Sequence, residues 1–183
     1  MMVVLIVIAV IILIVIAIYN NLQTEKNNIE NAWSQIDVQL QRRFDLIPNL
    51  IETVKGYMEH EEGILTKVTD LRSSWTNAQT VSEKSKLDSE LTTALKSIMA
   101  ISENYPNLQA SQNFINLQQE LSTTEDKIAN SRQGYNNAVT SYNTKLETIP
   151  SNIIANIFGF KQKELYKVES EDIRKNVKVD FSK

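Results

Sequence analysis

The chain carries one histidine, His60, set among three carboxylates, Glu59, Glu61 and Glu62. Imidazole beside carboxylate is the raw material of general acid–base catalysis and of divalent-metal binding, as in ferritin-like bundles that place Glu-x-x-His on facing helices. The spacing here fits neither use. On a helix Glu59, His60 and Glu61 point three ways, and there is no second histidine to complete a ligand set. Cysteine is absent, which removes thiolate nucleophiles, thiolate metal sites, disulfides and lipidation through an N-terminal cysteine. Any Ser-His-acid mechanism would rest on His60 alone. We therefore expect no catalytic residues, no metal site and no cofactor.

The remaining polar residues with suggestive placement are Arg42, Arg43, Asp45 and Asn49 in one segment, and Glu125 and Arg132 in another. Glu125 and Arg132 lie seven apart, hence on one helix face, and both fall in or beside an apolar seam. A charge in such a place must find a partner, so the expectation is an Arg–carboxylate network between the first and third long helices that fixes their register. A site for a small ligand is the alternative. Tyr135, Asn136, Tyr142 and Asn143 repeat at seven residues, which suggests stacked layers with tyrosine inward and asparagine at the boundary. An apolar turn, Ile153 to Phe160, presents Ile157 and Phe158. It can cap the bundle, contact another subunit or partner, or dip into a membrane surface.

These residues need helices to position them. From Ile29 to Trp75 the apolar positions Ile29, Trp33, Ile36, Leu40, Phe44, Ile47, Leu50 or Ile51, Val54, Tyr57 or Met58, Ile64 or Leu65, Val68, Leu71 and Trp75 recur about every three and a half residues. The pattern predicts one long helix over Leu22 to Trp75, kinked at Pro48, where the missing amide hydrogen removes a ladder donor. Gly56 and Gly63 are weaker points. A second, shorter helix is signalled from Ser82 and Ser85 through Leu87, Leu91, Leu95, Ile98 and Ile101 to Tyr105-Pro106. The third runs from Pro106 through Leu108, Phe114, Leu117, Leu121, Ile128, Tyr135, Val139, Tyr142, Leu146 and Ile149 to Pro150. A short middle helix cannot return the chain to the start of a long first one. Either the third helix overshoots the first, or the first bends sharply at Pro48 or Gly63 to make a fourth arm.

The first eighteen residues, MMVVLIVIAVIILIVIAI, contain no charge, polar side chain, glycine or proline. At 1.5 Å per residue they cover ~27 Å, close to the hydrocarbon thickness of a bilayer. No positive n-region and no small-x-small cleavage site accompanies them, so the segment is expected to remain as an anchor. Tyr19 falls where an amphipathic ring favours the interface. No Lys or Arg precedes the run, whereas Lys26, Arg42 and Arg43 follow it, so the positive-inside bias leans toward a cytoplasmic domain with the N-terminus outside. The net charge of −3 bears on solubility only and gives no ground for binding to nucleic acid or to an acidic membrane surface.

Three features together resemble the LemA family of bacterial membrane-anchored proteins. They are the apolar N-terminus followed by Tyr19-Asn20, the block NAWSQIDVQLQRRFDLIPNLIETVKGYMEHE from Asn31 to Glu61, and the run Glu125-x-x-Ile128-x-x-x-Arg132-x-x-Tyr135-Asn136-x-x-Val139-x-x-Tyr142-Asn143. Asp45-Leu46-Ile47-Pro48-Asn49-Leu50 is the most specific part, since helix periodicity does not call for a proline there. The resemblance implies an anchored antiparallel four-helical bundle with no agreed molecular activity, and supplies no catalytic residues.

The expected architecture is all-α: a transmembrane helix at 1–18, an antiparallel long-helix bundle of three or four helices at 19–160, and a loosely ordered charged tail at 161–183 with a short extended piece at Val177 to Phe181. The expected role is a membrane-anchored scaffold or adaptor that self-associates or binds a membrane protein partner. A sensor transmitting through a continuous first helix is the alternative, and no small-molecule substrate is expected.

Overall fold

The protein was studied as a computed structural model, which describes residues 1–58 and 60–166. Helices account for nearly all of them: α1 (Met2–Asp45), α2 (Ile47–Lys55), α3 (Glu62–Asn77), α4 (Val81–Ser102), α5 (Pro106–Gln109), α6 (Gln112–Glu147) and α7 (Ser151–Phe158). No strand occurs among the described residues. The extended piece expected at Val177 to Phe181 lies outside them.

The single helix expected over Leu22 to Trp75 is three helices. At Pro48 the interruption is slight. Leu46 keeps helical angles, φ −76° and ψ −18°, and its carbonyl accepts from the Leu50 amide at 3.0 Å. Pro48 has no amide hydrogen to give to Phe44, so the ladder skips a bond while the chain continues in helical conformation. The true break comes after Lys55, in the turn that contains Gly56 and precedes Gly63. The second of the two expected alternatives, an added arm, is the one realised: α3 is that arm, and it packs on α4.

The second helix starts earlier than expected. Its cap is Thr80, whose hydroxyl accepts from the Glu83 amide at 3.1 Å while the Glu83 carboxylate accepts from the Thr80 amide at 3.0 Å. This reciprocal capping box satisfies two otherwise orphaned donors, and the Ser82-Ser85 pair does not serve as the cap. The third helix is likewise divided: α5 is one turn after Tyr105, and α6 begins only at Gln112.

The chain forms two compact units. In the first, residues 1–42 and 123–165, α1 and α6 run antiparallel, because Trp33 meets Tyr135 (ring centroids 5.9 Å apart) and Lys145 reaches back to Asn21 and Glu25. Leu22, Ile29, Ile36 and Leu40 are buried from α1, Ile128, Tyr135, Val139 and Tyr142 from α6, and Ile154 and Ala155 from α7. In the second unit, residues 43–122 with Tyr166, α2 packs on α3, α3 on α4, and α4 on α5. Its core includes Ile47, Leu50, Val54, Val68, Leu91, Ile98 and Leu108, with Phe44 stacked on Trp75 at 4.6 Å and 17°. Each fully buried aliphatic side chain contributes roughly 1.5–3 kcal/mol through apolar area removed from water.

Residues 161–166, expected as the start of a loosely ordered tail, are tied down. The Asn143 side-chain amide makes two bonds to the Lys163 backbone, donating to its carbonyl at 2.8 Å and accepting from its amide at 2.9 Å. The Gln162 amide donates to Glu147 at 2.7 Å. Non-helical backbone has unpaired amides and carbonyls, and a fixed asparagine can serve them as a strand neighbour would.

Candidate functional site

Charge is buried most completely in the second unit. The Asp88 carboxylate is wholly inaccessible, and Arg43 is 4% exposed. Arg43 Nη1 donates to Asp88 Oδ1 at 2.9 Å and to Thr92 Oγ1 at 2.9 Å. The other carboxylate oxygen, Oδ2, accepts from the Tyr166 hydroxyl at 2.7 Å. Thr92 in turn donates to the Asp88 carbonyl at 2.9 Å, one helical turn back. Both Asp88 oxygens are thus held by protein donors, and Arg43 carries a permanent charge. A carboxylate with no face open to solvent has no route to a substrate proton. The arrangement is suited to fixing Arg43 and Tyr166 on α4 within this unit.

One acid that holds Arg43 stands on α4, at Asp88, a residue the sequence reading did not single out. Arg132 and Glu125 pair within α6, at 4.0 Å and seven residues apart. Asp88 was legible: it stands three residues after buried Ser85, three before Leu91 and seven before Leu95. A carboxylate on the buried face of a helix is a stronger signal than one beside it. Tyr166 carried no local signal, because its partner lies 78 residues away.

The other singled-out residues fall as follows. Arg42, Asp45, Pro48 and Asn49 are exposed, and Asn136 is half-buried. Asn49, Glu52 and Thr53 line a groove of about 640 Å³ together with Asn113, Asn116 and Glu120. His60 is exposed beside a second groove of about 720 Å³ floored by Ile51, Met58 and Leu65. Tyr135 and Tyr142 both point inward. The Tyr135 hydroxyl donates to the Glu164 carbonyl at 3.0 Å. Burial raises its pKa, and the Glu164 charge raises it further. Burial also raises that of Tyr142.

In α7, Ile154 and Ala155 turn into the core while Ile153, Ile157 and Phe158 remain open, at 55%, 69% and 52% exposure. The helix is stopped by Gly159 at φ 71°, a left-handed position that favours glycine. This sends Phe160 back toward α1. Both Phe158 and Phe160 rest on Tyr19, with ring centroids 4.8 and 5.7 Å apart.

Among the described residues one helix is long and apolar enough to cross a membrane, and its apolar window is wholly unburied within the protein. An unburied span of that length cannot face water. Fold and anchor together define a membrane protein with an all-helical bundle carried on a single N-terminal apolar helix.

The profile described as LemA family matches residues 32–181, and Protein LemA of Metamycoplasma hominis is 30% identical over 158 residues, covering 82% of this chain and 72% of that protein. The chain belongs to the LemA family. It is also similar to Magnetosome protein MamQ 2 of Paramagnetospirillum magneticum and Magnetosome protein MamQ of Magnetospirillum gryphiswaldense, at 27% and 25% identity over 174 residues. It spans 64% of the length of each of these two.

Proposed function

We propose that this chain is a non-enzymatic, membrane-tethered scaffold or adaptor, whose helices self-associate or hold a protein partner at the bacterial cell membrane. The observation that carries this reading is the continuity of α1. One helix runs from the apolar span into the seam of the bundle, with no linker between Ile18 and Leu22. The most buried ionic cluster is closed to solvent, which suits a device for holding shape. Two relatives are named as magnetosome proteins, and a scaffold lends itself to reuse in a specialised structure more readily than a fixed substrate site does. The lysine and arginines that follow the span support an orientation with the bundle in the cytoplasm.

Crosslinking and co-purification from native membranes tests the proposal. A partner or a second copy should be retrieved with the full chain. A strict monomer at micromolar concentration that retrieves nothing would count decisively against it.

The same continuity favours a second reading, a sensor that transmits a shift from bilayer to bundle through α1. A flexible glycine insert at Asn20-Asn21 should then abolish output while leaving localisation intact.

A further inference from the structure

We propose that α7 is a second membrane contact, lying in the bilayer interface beside the base of α1 with Ile153, Ile157 and Phe158 in the headgroup–acyl boundary. The inference rests on α1 crossing the bilayer and goes beyond the scaffold reading by naming what covers this face.

The argument is one of depth. The apolar run ends at Ile18, so Tyr19 stands at the level where hydrocarbon gives way to headgroups. Phe158 and Phe160 rest on the Tyr19 ring, which fixes the end of α7 at that level, within the same compact unit. Val15 and Ile18, the last turn of the run, are already partly covered, while the residues before them are open. Protein thus reaches down to the hydrocarbon edge. At that depth α7 turns its Ile154-Ala155 side inward and leaves Ile153 and Ile157, one helical turn apart, facing out beside Phe158.

Apolar side chains at that height meet lipid without exposure to water. The segment just after α7 supplies Lys161 and Lys163, both exposed, at the height of anionic headgroups. An apolar stripe bordered by lysines at the interface is the pattern of a helix lying flat on a membrane. A protein partner would need no lysine border and no alignment with the end of the span.

The absence of cysteine from the sequence makes the test direct. Ile153→Cys, Ile157→Cys and, as a water-facing reference on α6, Gln133→Cys are each made in the full chain. Each is labelled with an environment-sensitive fluorophore and reconstituted into phosphatidylcholine–phosphatidylglycerol vesicles. Two quenchers are applied: iodide in the water, and a lipid with a nitroxide high on its acyl chain. The α7 labels should be quenched severalfold more by the nitroxide lipid, and severalfold less by iodide, than the Gln133 label. Iodide quenching equal to that reference, with no nitroxide-lipid quenching, would place α7 in water and overturn the proposal. Shielding from both quenchers would mean that another copy or protein covers the face, and overturns it equally. Retention of the labelled chain on carbonate-washed vesicles is scored separately. Loss from the vesicles overturns the anchor and this contact together, whereas retention with water-exposed labels overturns the contact alone.

Discussion

Asp88 has neither oxygen in water, and that decides what its replacement should do. Asp88→Ala leaves the Arg43 guanidinium buried without its carboxylate, and breaking a buried pair in this way costs about 3–5 kcal/mol. Tyr166→Phe removes one hydrogen bond to a charged group and should cost about 1.5–3 kcal/mol. The double variant Arg43→Met, Asp88→Leu removes both charges and should recover most of the Asp88→Ala loss. Denaturant midpoints followed by Trp75 fluorescence in a Trp33→Phe background check all three, since Trp75 lies in the same unit, stacked on Phe44. A loss for Asp88→Ala no larger than for Tyr166→Phe would mean that the ion pair is not buried in solution. At the same scale, burial and then Glu164 raise the Tyr135 pKa. A raised folded-state value keeps the proton on in the native state after the unfolded chain has lost it. The resulting stability is complete below about pH 10 and is lost as pH rises through the higher folded value. Tyr135→Phe should therefore flatten the alkaline fall in melting temperature relative to the parent chain.

Elements are where sequence and structure agree most and where their differences are most instructive. The seam from Ile29 to Trp75 was legible because a buried helix face must repeat every three to four residues, and Ile29, Ile36, Leu40, Phe44, Ile47, Leu50, Val54, Leu65, Val68, Leu71 and Trp75 are all buried. The same repeat hid the break after Lys55. Apolar spacing continues across a turn when both flanking helices face one core, so periodicity alone reads through it. The start of α4 was legible as Thr80-x-x-Glu83, a capping box in plain sequence, but the serines that follow it compete for the role. Asp88 occupies a seam position of α4, but a charged residue there does not register in an apolar repeat. Tyr166 and the hold on residues 161–165 are long-range facts with no local signature. The cap itself predicts a measurable effect: Thr80→Ala should cost about 1 kcal/mol, read as a shift in the unfolding midpoint. Glu83 carries the matching acid dependence. Backbone hydrogen bonds from Thr80 and Gln79 lower its pKa, so its contribution is present above about pH 4.5 and fades as pH falls through the lower folded value. Glu83→Gln should remove that acid-side component.

For the molecule as a whole, the consequence to test is the separation of anchoring from folding. The span contributes little to either core: none of its residues is buried, only Val15 and Ile18 are partly covered, and the first wholly buried side chain of α1 is Leu22. Folding stability is set by area removed from water, and residues outside the core add none of it. A chain beginning at Tyr19 should therefore keep the unfolding midpoint of the full chain in detergent, and lose helical circular dichroism only in proportion to the residues removed. It should also pass from the membrane fraction to the high-salt wash, because interfacial contact through an eight-residue α7 holds far less tightly than a spanning helix. A large drop in midpoint would show that the bilayer end of α1 is part of the fold. Retention of the shortened chain through the wash would instead assign firm membrane attachment to the bundle itself. The expected result is an independent bundle carried by an anchor that fixes its height above the bilayer through one uninterrupted helix.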